Sequence, residues 1–151
     1  MDIIRTFEVR WADVDANGHM RHSAFYDYGT HLRIIMFEEF GCPINKMMAL
    51  GVGPALFREE ARFYKELNLN QKMKVDVAVK RMRRNGKIWI IQHQFFNSED
   101  ELVAVIIAEG TWIDLATRKA VSPPTEMQAM LPNLPHTADF DWLPDKREET
   151  Q

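Results

Sequence analysis

The amino-acid sequence predicts an α+β domain, a five-stranded antiparallel sheet wrapped around one long central helix. Three observations carry this. The predicted elements run strand, loop, long helix, then four strands. Short connections join the later strands, which makes neighbours antiparallel. The helix is apolar on so many sides that other structure must enclose it, giving a layered helix-on-sheet architecture.

The first strand is predicted over residues 3–11, where Ile4, Phe7 and Val9 supply apolar β-type side chains. The pattern then breaks into the loop formers of Ala12–His19, with Asn17-Gly18 as the turn signal. The helix is predicted over 23–40, because Phe25, Tyr28, Leu32, Ile35, Met36 and Phe40 recur at spacings of three and four. Ser23 is the candidate N-cap, Gly41 suits the residue just past the end, and Pro43 blocks continuation. The remaining strands are predicted over 55–64, 73–82, 87–96 and 102–115, with Asn85-Gly86 as a tight hairpin and Ser98-Glu99-Asp100 as a further turn. Residues 1–121 form the domain proper. Residues 122–151, with five prolines between Pro123 and Pro144, read as an irregular tail of the same domain that packs through Phe140 and Trp142 and frays at 146–151.

A chain of 151 residues suits one core, and 46% hydrophobic with 27% charged residues is a globular balance. A net charge of -3 gives no global reason to expect nucleic acid or an anionic membrane as partner. The single cysteine, Cys42, excludes an intramolecular disulfide and reads as a structural thiol. Arg5, Glu8 and Arg10 interrupt any signal-peptide core, and no segment approaches the roughly 18 apolar residues that a membrane span needs, so a soluble, cytoplasmic protein is expected.

The chemistry concentrates in residues 13–22, where two carboxylates, a glycine turn and two histidines precede a helix. A helix start offers free backbone N–H groups and a positive dipole end. These suit a carbonyl oxygen that gains negative charge, while a nearby carboxylate attacks the carbon or takes a proton from water. Asp13, Asp15 and Asn17 also read as plain turn formers. The run Asp-x-Asp-x-Asn-Gly looks like the start of a calcium loop, but Ala24 stands where that loop needs a bidentate glutamate. His19 and His22 lack further ligands at metal spacing, and His93 reads as a structural histidine, so no metal is expected.

The stretch Val9–Met20, followed by Phe25-Tyr26-Asp27-Tyr28 and Arg33, resembles the 4-hydroxybenzoyl-CoA thioesterase family of hotdog-fold proteins. The resemblance covers roughly residues 3–115 and implies hydrolysis of an acyl-CoA thioester to free acid and CoA. It places Asp15 at the catalytic aspartate, Gly18 at the glycine of the turn, and His22 where a backbone N–H polarises the carbonyl. It implies a homodimer or homotetramer with the site between subunits, no cofactor beyond the CoA of the substrate, and no nucleic-acid or membrane partner. His19 and Phe25 are expected beside the substrate. Many relatives carry two asparagines where this chain has Arg21 and His22, and a glutamate where it has Thr30 and His31, which leaves the acyl group open.

The basic cluster Lys80-Arg81-Met82-Arg83-Arg84, with Lys87 across the turn, reads either as a solvated hairpin tip or as a CoA phosphate site carried by Arg81, Arg83 and Arg84. Two other functions compete. A hotdog hydratase or dehydratase resembles a pattern with aspartate and histidine four residues apart in between, whereas Asp15 and His19 enclose three and Asp13 and His19 five. A non-catalytic acyl-CoA binder would leave the carboxylate of Asp15 without use in an apolar pocket.

Overall fold

A computed structural model describes residues 2–144. In chain order the elements are β1 (Ile3–Glu8), α1 (His22–Glu39), α2 (Ile44–Ala49), β2 (Val52–Phe63), β3 (Lys72–Met82), β4 (Ile88–Asn97), β5 (Leu102–Asp114), β6 (Ala120–Val121), α3 (Thr125–Met130) and β7 (His136–Trp142), with a short 3-10 turn over Trp11–Asp13. The main sheet runs β1-β3-β4-β5-β2, every neighbour antiparallel.

The sheet has seven strands, not five. β6 adds to β5, and β7 lies parallel to β3. The tail is therefore not irregular: α3 and the following turn bury Met127, Leu131 and Leu134. Phe140 and Trp142 pack against the core from β7. Prolines between these short elements mask their periodicity, and the parallel pairing of β7 joins segments far apart in sequence, which no local pattern reveals. The fraying expected at 146–151 lies outside the described residues.

One face of the sheet carries the core. Val75, Val77 and Val79 of β3, Trp89, Ile91, His93 and Phe95 of β4, and Ala104, Ile106, Ala108 and Trp112 of β5 alternate inward and are buried. Each large apolar side chain so buried contributes roughly 1.5–3 kcal/mol. α1, 18 residues long, turns Ala24, Phe25, Tyr28, Leu32, Met36 and Phe37 onto that face. Phe25 meets Phe95 edge-on at 5.0 Å and Phe37 meets Trp112 at 5.5 Å.

The helix starts one residue earlier than expected, with Arg21 as N-cap; Ser23 lies inside it and accepts a hydrogen bond from Arg21 at 2.7 Å. At its end Cys42 N–H donates to the Phe37 carbonyl and Gly41 N–H to that of Glu38, with Gly41 at φ +93°, a Schellman closure that satisfies carbonyls the helix leaves open. β2 forms one edge of the main sheet, and Leu56, Phe57, Phe63 and the adjoining Tyr64 are exposed on or beside it.

Candidate functional site

The loop between β1 and α1 is closed by its own hydrogen bonds. Asp15 N–H donates to the His19 carbonyl at 2.8 Å, and Gly18 N–H to the Asp15 carbonyl at 3.0 Å, with Gly18 at φ +77°. Asp15 Oδ1 accepts from the N–H groups of Asn17 at 2.9 Å and His19 at 3.2 Å. The Asp15 side chain is exposed in the single chain. Its position is fixed while Oδ2 has no partner among the described residues.

The two aspartates of the loop part company. Asp13 is buried and accepts from Arg10 N–H at 3.0 Å, from the Arg10 guanidinium at 2.9 Å and 3.2 Å, and from the Tyr28 hydroxyl at 2.5 Å. Burial works to raise its carboxyl, but the hydrogen bonds from Arg10 and Tyr28 outweigh it and hold the group below the ordinary value. Burial and the bond to Asp13 push the Tyr28 phenol up. The Asp13 backbone carbonyl also accepts from Arg21 N–H at 2.8 Å, so main chain and side chain of this residue both tie the loop to the helix.

His22 is the first residue of α1, and its N–H has no backbone partner among the described residues. The site thus brings an exposed carboxylate and a free helix-start donor into one short loop-to-helix segment, held by a buried second carboxylate. Gly18 supplies the turn that joins them. His19 pairs its Nε2 with Glu66 at 3.1 Å and borders the same loop. Phe25 is buried in the core between Phe63 and Phe95. The chain supplies no group of three or more His, Cys, Asp or Glu among the described residues that could hold a metal ion.

Arg81, Arg83 and Arg84 lie elsewhere. The loop joins β1 beside Lys72 at the start of β3, whereas the hairpin leaves β3 after Met82. Ten strand steps separate those ends, about 33 Å. Arg84 stacks over the Trp142 ring at 4.8 Å, and Arg81 pairs in register with Asp141. A single chain does not bring these arginines to Asp15.

A buried polar group lies farther along α1. The Arg33 guanidinium donates to His93 Nε2 at 3.0 Å and to Thr30 Oγ1 at 3.0 Å, and stands 3.6 Å from Glu59 of β2. His93 Nδ1 donates to the Asp76 carbonyl at 2.9 Å. The ring is therefore neutral, and burial with the neighbouring Arg33 charge lowers its pKa to about 3. Gly29 leaves room for the ring, since a β-carbon there would stand 3.1 Å from His93 Cδ2. The sequence reading missed this group. Its two members had been noted apart, Arg33 within the family resemblance and His93 as a structural histidine.

Residues 9–131 match the thioesterase-like superfamily. The chain belongs to that superfamily. The match begins at Val9 and takes in the whole Asp13–His22 segment. Among solved structures, a hypothetical protein of Staphylococcus aureus in complex with CoA superposes with a TM-score of 0.82 at 14% identity, covering 88% of this chain and 83% of that one. A DHNA-CoA thioesterase of the same organism gives 0.75 at 20% identity over 87% and 85%. The 1,4-dihydroxy-2-naphthoyl-CoA thioesterase of Synechocystis gives 0.78 at 15% over 91% and 100%. These likenesses establish the hotdog fold. A nicotine dehydrogenase of Pseudomonas putida is 29% identical over 116 residues, 68% of this chain but 23% of that protein's length. No described helix is long and apolar enough to cross a membrane.

Proposed function

We propose that this protein hydrolyses an acyl-CoA thioester to the free acid and CoA. The observation that supports it best is the pairing of an exposed, turn-fixed Asp15 with the free N–H of His22 in a chain of the thioesterase-like superfamily. The His22 N–H and the positive end of α1 polarise the thioester carbonyl. Asp15 then acts on the carbonyl carbon as nucleophile, or takes a proton from the water that attacks it; the thiolate leaves and is protonated as CoA.

The reading includes self-association. β2 presents a 12-residue edge with unpaired backbone groups and exposed Leu56, Phe57 and Phe63. A second copy of the chain pairing there covers this surface and closes the open side of the cleft. Contact between the basic hairpin and CoA phosphates then requires that second copy, since the hairpin of the same chain is remote from Asp15.

The test is release of free thiol from a panel of aliphatic and aromatic acyl-CoAs, by the native protein and by Asp15→Asn. Thiol release that depends on Asp15 supports the proposal; release from no member of the panel overturns it. Repeated turnover in ¹⁸O water separates the roles, because only the nucleophilic route forms a mixed anhydride, which water opens at the Asp15 carbonyl to release the free acid and leave the label in Asp15.

A further inference from the structure

The free edge of β2 has a definite polarity. Tyr64 N–H donates to the Val103 carbonyl at 2.7 Å, in the register that sets Phe63 opposite Ala104 and Ala61 opposite Ile106. Backbone groups alternate in direction along an antiparallel strand, so Arg62 and Glu60 also bond towards β5. Glu59, Ala61 and Phe63 therefore turn their N–H and C=O groups to the free edge. Their side chains share the face towards α1. Glu59 stands 3.6 Å from Arg33, Ala61 packs on the core, and the Phe63 ring meets those of Phe25 at 5.2 Å and His22 at 6.4 Å. Arg58, Glu60 and Arg62 form a row of alternating charge on the opposite face, joined within the chain at 2.9 Å and 3.7 Å.

This row selects the register of a second copy. Two β2 edges related by a twofold axis run antiparallel, and residues opposite one another then share a face. The axis must therefore pass through a residue position. Two positions within the strand set arginine against glutamate. An axis at Glu59 pairs Arg58 with the partner's Glu60, but also sets Glu59 against the partner's Glu59 on the half-buried face. An axis at Ala61 pairs Glu60 with the partner's Arg62, twice by symmetry, and puts the smallest side chain of the segment on the axis. An axis at Glu60 would oppose Arg58 to the partner's Arg62. Opposite charges across a strand pair stabilise it and like charges destabilise it, so charge and size both favour the axis at Ala61.

That register sets the partner's Glu59 directly opposite Phe63, with about 5.5 Å between their Cα atoms. Phe63 borders the His22 ring, which is exposed and makes no hydrogen bond among the described residues. On the basis of the thioesterase reading, we infer that the partner's Glu59 completes each site. Its carboxylate accepts from the His22 imidazole and so positions the first residue of α1, whose backbone N–H receives the thioester oxygen. Each site is then built from two chains: Asp15 and His22 from one, the positioning carboxylate from the other. The ion pair between Arg33 and Glu59 holds that carboxylate at the interface.

The experiment combines two variants that are each impaired alone. Asp15→Asn should lose at least about 100-fold in kcat. Glu59→Ala should lose about tenfold or more, the yield of one hydrogen bond to a charged group; Arg33 keeps its bonds to His93 and Thr30 in that variant. Co-expressed with different affinity tags and purified through both, a mixed dimer carries one site with both native residues and one with neither. It should regain about half of native kcat per dimer. A mixed dimer no more active than the mean of the two variants overturns the inference, because a Glu59 that acts within its own chain cannot be complemented.

The placement is also read without activity, which serves if Glu59→Ala does not fold. Cys42 is buried, so an introduced thiol reacts alone. Ala61→Cys should form an interchain disulfide on mild oxidation, whereas Glu59→Cys and Phe63→Cys should cross-link to each other when mixed and neither to itself. Self cross-linking of Glu59→Cys in place of Ala61→Cys overturns the register. Cross-links as expected without thiol release from any acyl-CoA would sink the thioesterase reading and leave the placement of Glu59 standing. Thiol release by the native protein without complementation would do the reverse.

Discussion

The Tyr28 hydroxyl of α1 donates to Asp13 Oδ2 at 2.5 Å, joining the helix to the loop that precedes it. Arg10 completes the contact from the end of the first strand, so three segments meet at one buried carboxylate. Removing the two partners should have unequal effects. Tyr28→Phe keeps the bonds from Arg10 to Asp13, loses the hydroxyl's own bond to Asp13 and the one it accepts from Arg10 Nε at 3.2 Å, and should cost about 1–2 kcal/mol. Asp13→Ala leaves a buried hydroxyl and a backbone N–H without acceptors and should cost about 2–4 kcal/mol. Urea denaturation at pH 7 measures both. Equal losses would show that Asp13 does not organise the loop.

The neighbouring carboxylate should behave in the opposite way. Asp15 is exposed and accepts only two N–H groups of its own turn, of which an asparagine oxygen can keep at least one. Asp15→Asn should leave the denaturation midpoint within about 0.5 kcal/mol of native, while kcat falls at least about 100-fold. Asp13→Asn should retain more activity per folded molecule and lose stability instead. Reversed outcomes would transfer the chemical role to Asp13.

The fold and the loop were legible in the sequence for the same reason: both are written locally. The apolar face of α1, the strand alternation of β3 and the Asn85-Gly86 hairpin are period-and-turn signals, and Gly86 adopts φ +74°. Asp13-x-Asp15 with Gly18 could be located, but not divided into a buried and an exposed carboxylate. That division rests on Arg10 and Tyr28, which reach Asp13 from different elements. β7 and the Arg33–His93–Glu59 contact were not legible, because each joins residues dozens of positions apart. Ser23 was chosen as N-cap on residue type, yet the cap lies two residues earlier, at Arg21, without any side-chain bond to the helix backbone.

Exposed apolar residues on an unpaired edge make a prediction about assembly. Replacing Leu56 and Phe57 with Lys puts two charges on exposed positions of the edge that a second copy would have to cover. Sedimentation at micromolar concentration should show an oligomer for the native protein and a shift towards monomer for the double variant. Because the hairpin of one chain lies remote from its own Asp15, Arg83→Ala with Arg84→Ala should raise KM with little change in kcat only while the oligomer persists. An unchanged KM would make these residues a solvated tip, with Arg84 held on Trp142.

The final prediction is a pH dependence with a fixed sign. Asp76 of β3 is largely buried, and burial raises its pKa from 3.8 to about 6 against the pull of the Gln94 N–H, which donates to Oδ1 at 2.6 Å. The folded state therefore binds this proton more tightly than the unfolded chain does. The resulting stabilisation is complete below pH 3.8 and is lost as pH rises through about 6. His93 works in the other direction: its pKa is lowered from 6.5 to about 3, so its contribution is complete above pH 6.5 and is lost as pH falls towards 3. Asp76→Asn presents the same acceptor to Gln94 without a charge. It should stabilise the protein by about 1–3 kcal/mol at pH 8, where the native carboxylate is ionised, and by almost nothing near pH 4. In the variant, stability should rise with pH between 4 and 6 more steeply than in the native protein, because the opposing Asp76 titration is gone while His93 remains. Equal stabilisation at both pH values would mean that the substitution acts through packing and that Asp76 is not ionised against burial.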